Sequence, residues 1–502
     1  MMVKDRPGLS LATLLPSLSA REVRGSIDRE VRDVAADSRE AGPGVLFVAL
    51  RGFHADGHDF LSDVLQKGSP AAIVERAIAS VPLTQIVVPD ARLALGVAAA
   101  EVHGHPSRAI DLLGVTGTNG KTTVTFLVRS ILDAAGRACG LIGTLGCRWG
   151  THELPATHTT PGPDMLHRIL ARMRRDGARA VAMEASSHAV ALRRLVALRF
   201  RSMALTNVTR DHLDFHGSVE AYRREKMRLF LPAEIADDRI EVASAVLNAD
   251  DETGARLLGI SPLPRIVYGE AEGADLRAVV LRSGIGGTAL RFLCGREEAE
   301  AFLPIPGAFN VSNALAAVGL VLQSGLSLRE AAAGLAECET PPGRMERVDR
   351  GQPFGVVIDY AHTPDGFLRL LDTIRLLTEK RVLLVFGCGG DRDRGKRPIM
   401  GRIAAEKADL VFLTDDNPRT EDPENIRLEI EAGLREGNGV YEGIPDRREA
   451  IARAFALARK GDTVVLAGKG HERYQIVGLE RFPWNERHIA EELLDERREG
   501  GR

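Results

Sequence analysis

The sequence predicts an α/β protein of three domains built on parallel-type sheets. The chain has 502 residues, about three domains' worth. Short apolar runs alternate with longer stretches of helical period, the signature of strand–helix–strand units. Several of those runs end in glycine-rich or polar clusters, as strands do where an open α/β sheet holds its ligand.

The first section supplies the strand candidates "VLFVAL" (45–50), "AAIV" (71–74) and "QIVV" (85–88). The opening residues, "MMVKDRPGLSLATLLPSLSA", combine early positive charge with leucines. Pro16 interrupts the apolar stretch and no A-x-A site follows, so they read as a first helix rather than a signal peptide. "GHPSR" (104–108) reads as a linker. The second section opens on "IDLLGVTG" and continues through "RAVAMEAS" (179–186), "SMALTNV" (202–208), "ASAVLNAD" (243–250) and a helical stretch at 310–322. "ETPPGR" (339–344) marks the next boundary. The third section carries four strands, at 355–362, 381–390, 409–419 and 463–472. The predicted domains are residues 1–106, 107–340 and 341–502, and "DERREGGR" reads as a fraying helix end.

Composition excludes several classes. Apolar residues make up 44% and charged residues 27%, as in ordinary soluble proteins. A net charge of −3 gives no global basic field for nucleic acid. The five cysteines (139, 147, 294, 338, 388) lack CxxC spacing, which argues against zinc or a disulfide framework and fits a reducing cytoplasm. No apolar run approaches the roughly 18 residues of a membrane span.

The chemistry starts at "GVTGTNGKTT" (114–123). A general phosphate loop is Gly, four residues, then Gly-Lys-Ser/Thr. Counting back from Gly120-Lys121-Thr122, the first glycine belongs at 115, where Val115 stands, and Gly114 comes one residue early. The context is nonetheless strand, glycine-rich turn, amphipathic helix. Backbone N–H groups would face an anion, Lys121 would add charge and Thr122 could reach Mg²⁺. Glu184 ends a strand in "MEASSH", where a carboxylate can meet a metal. Asp211 and His212 follow another strand in "TNVTRDHLDFHG". Lys226 sits on an apolar stripe with Val219, Tyr222, Leu229 and Phe230. Desolvation there favours a neutral amine, which can take up CO₂ as a metal-binding carbamate. The alternative on this segment alone is a snorkelling lysine.

The variant loop "TGTNGKTT" resembles that of the Mur ligases and folylpolyglutamate synthetases, ATP-dependent amide-forming enzymes. "HTTP" (158–161), "MEASSHA" (183–189), "NVTRDHLDFHG" (207–217), "EKMRLF" (225–230) and "GAFNVSNALAA" (307–317) extend the likeness. So do "PPGRMER" (341–347), "DYAHTPD" (359–365), "GCGGDRDRGKRP" (387–398), "DNPR" (416–419) and "GKGHE" (468–472). The resemblance covers nearly the whole chain and is nearest to the diaminopimelate-adding branch. It implies an N-terminal domain for a UDP-sugar, a central ATPase domain and a C-terminal Rossmann-like domain for the amino acid.

By the same resemblance, Gly117, Thr118, Asn119, Gly120, Lys121, Thr122, Thr123, Asn313, Arg344 and Asp359 would bind ATP. Thr122, Glu184, His212 and an N6-carboxylated Lys226 would bind Mg²⁺. Lys121, Glu184, His212 and Lys226 would carry catalysis. Ser38, Thr159, Thr160, Ser186 and Arg194 would contact UDP-N-acetylmuramoyl-L-Ala-D-Glu. Leu192 stands where some relatives carry glutamine, so a substrate contact there is in question. Arg392, Asp416, Asn417, Pro418, Arg419, Gly468 and Glu472 would bind meso-diaminopimelate. The implied enzyme is a cytoplasmic monomer with small-molecule substrates, acting on neither nucleic acid nor membrane. Four rivals are weighed against it: a sister ligase that adds lysine or another amine, a folate-polyglutamating ligase, a nucleic-acid motor with "DRDRGKRP" as its basic patch, and a non-catalytic binding protein, against which the full set of catalytic residue types speaks. Arg419 speaks against the first, because lysine has no distal carboxylate. The N-terminal section and "HTTP" speak against the second, and balanced charge without interleaved aromatics against the third.

Overall fold

The computed structural model describes residues 8–52, 55–232, 239–284 and 286–500. Three sheets follow one another along the chain. The first has five strands, four of them parallel (Asp33–Ala35, Val45–Val48, Ala71–Val74, Thr84–Val87), with Glu22–Arg24 antiparallel at its edge. The helix Ala91–His103 covers one face and ends on Gly104 in the left-handed conformation, a common helix stop. The expected first helix is short: an α-turn at Leu11–Leu14 runs into a 3₁₀ turn at Leu15–Ser17 that contains Pro16. Residues 1–7 lie outside the described residues.

The central sheet has eleven strands. Its parallel middle holds Cys139–Gly143, Ala180–Glu184, Asp111–Thr116, Ser202–Leu205, Ala245–Asn248 and Arg265–Tyr268 in spatial order. Helices cover both faces, so strands such as Ala180–Glu184 are buried on both sides, which is why they read as unbroken apolar runs. The sequence did not announce the antiparallel extension Leu276–Gly284, Gly287–Cys294 and Glu297–Leu303. Its middle strand alternates instead of running apolar, with Leu290 and Phe292 buried on either side of half-exposed Arg291.

The third sheet orders Gly355–Asp359, Thr463–Ala467, Val382–Phe386, Leu410–Leu413 and Tyr441–Gly443 in parallel, with Glu346–Arg347 antiparallel at the edge. A hairpin, Tyr474–Val477 with Glu480–Pro483, projects beyond it. The boundary at 104–108 is no loose tether, since Ser107 is buried and its Oγ accepts the Arg199 amide at 3.1 Å. One apolar core runs without a break from the central sheet into the third through Phe367, Leu370 and Ile374 of the helix Pro364–Leu377. All five cysteines are free thiols. No helix among the described residues is long and apolar enough to cross a membrane.

Candidate active site

The phosphate-loop question is resolved by where the strand ends. Val115 is the fifth residue of the strand Asp111–Thr116, fully buried and in register with Glu184. The tight point lies two residues on. Gly117 has φ +149°, and a Cβ there would meet Thr206 Oγ1 at 1.9 Å. Gly120, at φ +88°, starts the helix Lys121–Ala134, and a Cβ there would meet Asn313 Oδ1 at 2.2 Å. No side chain caps that helix, so its first-turn N–H groups are offered to an anion.

The loop is fixed from behind. Asn207 Oδ1 accepts the Asn119 amide at 3.0 Å, and Thr206 Oγ1 donates to the Asn119 carbonyl at 2.6 Å. Thr118 Oγ1 meets the Tyr222 hydroxyl at 3.1 Å. Lys121 Nζ donates to the carbonyls of Gly117 and Thr118, both at 2.9 Å. Lys226 Nζ donates to the same Gly117 carbonyl at 2.8 Å and lies 4.5 Å from the Tyr222 ring centre. Burial, reinforced by the charge of Lys121, pushes the Lys226 pKa well below the ordinary lysine value. Lys226 is therefore a buried amine beside the loop, not a snorkelling one.

Glu184 is held in place by three donors. Thr122 Oγ1 donates to its Oε1 at 2.9 Å, the Thr144 amide to the same oxygen at 2.9 Å and Thr144 Oγ1 to Oε2 at 3.0 Å. The expected partners Thr122 and Glu184 thus touch. His212 has the left-handed φ of +52° and pairs with Asp211 at 3.4 Å, and its ring stands edge-on to His188 at 4.7 Å. Among the described residues no three His, Cys, Asp or Glu side chains converge as a ready-made cation site. A magnesium ion here would draw on the Thr122 hydroxyl, one carboxylate and phosphate oxygens, the usual manner of nucleotide-bound magnesium. The donor set fits that role.

These groups line one cavity of about 890 Å³, shared by the central and C-terminal sheets. Thr118 to Thr123, Glu184, His212 and Asn313 form one wall; Arg344, Asp359 and Arg392 come from the other side. Asp359 accepts the amides of Met345 and Ala361, each at 2.7 Å. Burial raises its pKa, and Arg344 and those amides oppose the rise. The Arg344 guanidinium lies 4.7 Å from the Tyr360 ring centre. Asn119 Nδ2 donates to Asp365 at 3.1 Å, joining the loop to the C-terminal unit.

Of the residues expected at the dipeptide, Thr159, Ser186 and Arg194 line the same cavity. Thr160 is buried beside them, donating to the Glu184 carbonyl at 2.8 Å and meeting Ser186 Oγ at 3.2 Å. Arg194 Nη1 donates to the Thr160 carbonyl at 2.9 Å. Leu192 is half-buried at the end of the helix Ser187–Ala191 and is not among the cavity-lining residues. Ser38 stands apart, in the 3₁₀ turn Ser38–Glu40 of the first sheet, where its carbonyl accepts Lys67 Nζ at 2.7 Å.

The residues expected at the amino acid gather beyond the carboxyl ends of the third sheet. Asn417 Nδ2 donates to Glu472 at 2.7 Å. Gly468 has φ +104°, and a Cβ there would meet Asp416 Oδ2 at 2.8 Å. Arg419, which follows Pro418, has the left-handed φ of +52°. Its backbone is clamped by the hairpin, with its amide donating to Ile476 at 3.1 Å and its carbonyl accepting Gly478 at 2.7 Å. Arg419 Nη1 donates to the Gly390 carbonyl at 2.7 Å. Burial and the charge of Arg392 depress the Arg419 pKa, the condition of a guanidinium that an added carboxylate would relieve. Arg392 alone of this set also lines the large cavity.

Sequence reasoning missed Thr144, Tyr222's bond to Thr118, Lys469 and the hairpin 474–483. "GKGHE" did contain a signal for Lys469, a lysine two residues after an apolar strand. Thr144 carried none, because its role depends on the register of a neighbouring strand.

Comparison with known proteins identifies the family. The model described as "Mur ligase family, catalytic domain" matches residues 30–103, "Mur ligase middle domain" matches 115–321 and "Mur ligase, glutamate ligase domain" matches 343–470. The UDP-N-acetylmuramoyl-L-alanyl-D-glutamate--2,6-diaminopimelate ligase of Geobacillus thermodenitrificans (strain NG80-2) is 41% identical over 490 residues, covering 98% of this chain and 100% of its own. The UDP-N-acetylmuramyl-tripeptide synthetase of Roseiflexus sp. (strain RS-1) is 43% identical over 493 residues, covering 95% and 96%. A solved structure of a UDP-N-acetylmuramoyl-L-alanyl-D-glutamate--2,6-diaminopimelate ligase aligns with TM-score 0.70 at 30% identity over 98% of this chain and 100% of its own. With family models matching all three sheets and full-length relatives at this identity, the chain belongs to the Mur ligase family.

Proposed function

We propose that the chain is an ATP-dependent ligase that joins meso-diaminopimelate to the D-Glu γ-carboxylate of UDP-N-acetylmuramoyl-L-Ala-D-Glu, a cytoplasmic step of peptidoglycan synthesis performed by a monomer. The observation that carries this reading is the shared cavity. The phosphate-loop residues Thr118 to Thr123, Glu184, Thr159, Ser186, Arg194 and Arg392 all line one space. Full-length relatives bearing that activity in their names support it. The three domains are residues 1–106 for the UDP-sugar, 107–340 for ATP and 341–502 for the amino acid.

A carboxylate is a poor electrophile, so the amide needs activation. A γ-carboxylate oxygen attacks the terminal phosphorus of ATP, ADP leaves and an acyl phosphate forms. The diaminopimelate amine then attacks the acyl carbon, loses a proton and expels phosphate. Gly117 to Thr123 cradle the phosphates through backbone N–H groups. Lys121 turns from its loop carbonyls to the transferring charge, while Asn313, Arg344 and Asp359 hold the nucleotide. Thr122, Glu184, His212 and carbamylated Lys226 are the residues to hold magnesium, which when bound offsets the repulsion among phosphate and carboxylate charges. Ser38, Thr159, Thr160, Ser186 and Arg194 orient the UDP-muramoyl dipeptide. Arg392, Asp416, Asn417, Pro418, Arg419, Gly468 and Glu472 receive the diaminopimelate, and Arg419 can grip its distal carboxylate with two parallel hydrogen bonds.

Purified enzyme with ATP, Mg²⁺ and the UDP-muramoyl dipeptide tests this directly. Labelled meso-diaminopimelate should enter the product, with one phosphate released per amide. L-lysine should be at least about 30-fold poorer in kcat/KM, because it leaves the Arg419 fork unpaired. Equal use of lysine, or no incorporation with phosphate release unaffected by the dipeptide, would refute the reading.

A further inference from the structure

Lys469 is completely buried, although it follows the strand Thr463–Ala467 by only two residues. Its ammonium donates to Asn417 Oδ1 at 2.6 Å and to the Tyr474 carbonyl at 3.0 Å. Two carboxylates flank it, Glu472 at 3.5 Å and Asp416 at 3.6 Å. The Asn417 amide is thereby oriented. With its oxygen taken by Lys469 and by the Ile476 amide at 2.9 Å, its nitrogen must face Glu472, which it reaches at 2.7 Å. Lys469 touches three residues assigned above to the amino acid and is itself too deeply placed to be one of the groups that meet solvent.

We propose that Lys469 is a positioning residue that sets the charge and geometry of the amino-acid pocket, so that Asp416 and Glu472 together present a single net negative charge to the ammonium of a zwitterionic amino-acid end. This deepens the functional reading above and rests on it. The charge balance explains why two acids can share one small site: with Arg419 taking the ligand's carboxylate, Lys469 cancels the second acid. The groups facing Glu472 are Asp416, Asn417 and Lys469, with the charges of Arg419 and Arg447 and the ring of Tyr360 also felt there. Burial and Asp416 raise the Glu472 pKa, whereas Lys469 and Asn417 lower it. Without Lys469 the carboxyl therefore protonates at higher pH and stops attracting an ammonium.

Lys469→Met and Lys469→Gln test the idea. The glutamine variant keeps a donor for Asn417 Oδ1 without the charge. Both should raise the KM for diaminopimelate at least about tenfold, the order expected when one partner of a buried charge cluster is removed. Affinity for ATP, measured by calorimetry, should stay within about twofold because the nucleotide site is elsewhere. The acidic limb of kcat/KM for diaminopimelate should move to higher pH in both, and Lys469→Arg should keep that limb near its wild-type position. An unchanged diaminopimelate KM and acidic limb would overturn the proposal. So would parallel loss of ATP and diaminopimelate binding in both neutral variants, which would make Lys469 structural. If the wild-type enzyme does not use diaminopimelate at all, the functional reading fails instead.

Discussion

Two buried lysines show how surroundings divide one residue type into two roles. Lys469 faces carboxylates, whereas Lys226 donates to a neutral carbonyl and shares it with another lysine. A second positive charge on that carbonyl is unfavourable, and burial adds to the effect. Lys226 is therefore the amine suited to add CO₂, losing a proton and becoming a carbamate. Lys226→Ala should lower kcat by at least about 100-fold, on the scale of losing one preorganised charge at a phosphoryl-transfer site. Its thermal midpoint should move little, because Gly117 keeps the Lys121 bond. Millimolar formate or acetate should restore part of the rate by standing in for the carbamate. Full activity without added carboxylate would remove Lys226 from the mechanism.

At the level of elements, the proposed phosphate cradle rests on the junction between the strand Asp111–Thr116 and the helix Lys121–Ala134. Both of its tight glycines are occupied on the Cβ side, Gly117 by Thr206 and Gly120 by Asn313. Gly120→Ala adds a left-handed alanine, costing about 1–2 kcal/mol, and forces Asn313 away from the loop. The helix itself should survive, since its packing face of Val124, Leu127, Val128 and Ile131 lies on the far side of the turn. Calorimetry should therefore find ATP affinity lowered at least about tenfold in a folded protein. Wild-type ATP affinity would mean that the loop tolerates a side chain and is not shaped as argued. The hairpin 474–483 plays a similar part for Arg419, holding an arginine in a backbone conformation that non-glycine residues seldom adopt.

On the scale of the whole molecule, the central and C-terminal sheets share a core, and the loop residue Asn119 reaches across to Asp365. Asp365 opens the helix Pro364–Leu377 and also pairs with Arg369 at 3.1 Å. The two units therefore touch through the loop itself. Asp365→Ala should lower kcat several-fold through looser domain registration, while ATP affinity in the absence of other substrates stays within about twofold. Equal losses in both would place Asp365 in nucleotide binding rather than in domain coupling. The N-terminal unit is joined differently. Arg168 pairs with Asp33 and Glu40 at 3.1 Å each, tying the helix Pro163–Arg175 to the sheet that carries Ser38.

The sequence alone determined the alternation of strand and helix, the phosphate loop and the family likeness. These depend on local rules: apolar runs, glycine placement and residue types at fixed spacing. It also marked the strand ends carrying Glu184, Asp359 and Asp416, because polar residues after buried strands stand out. Three features were decided only by tertiary structure. Thr144 meets Glu184 because Cys139–Gly143 pairs beside Ala180–Glu184. Lys226 and Gly117, 109 residues apart, meet because a helix packs beneath the loop. Lys469 reaches Asn417, 52 residues away, and Asp416 beside it because the strands Leu410–Leu413 and Thr463–Ala467 end at the same edge of the sheet. Register and long-range closure set these contacts, and neither is written in the local pattern of any one segment.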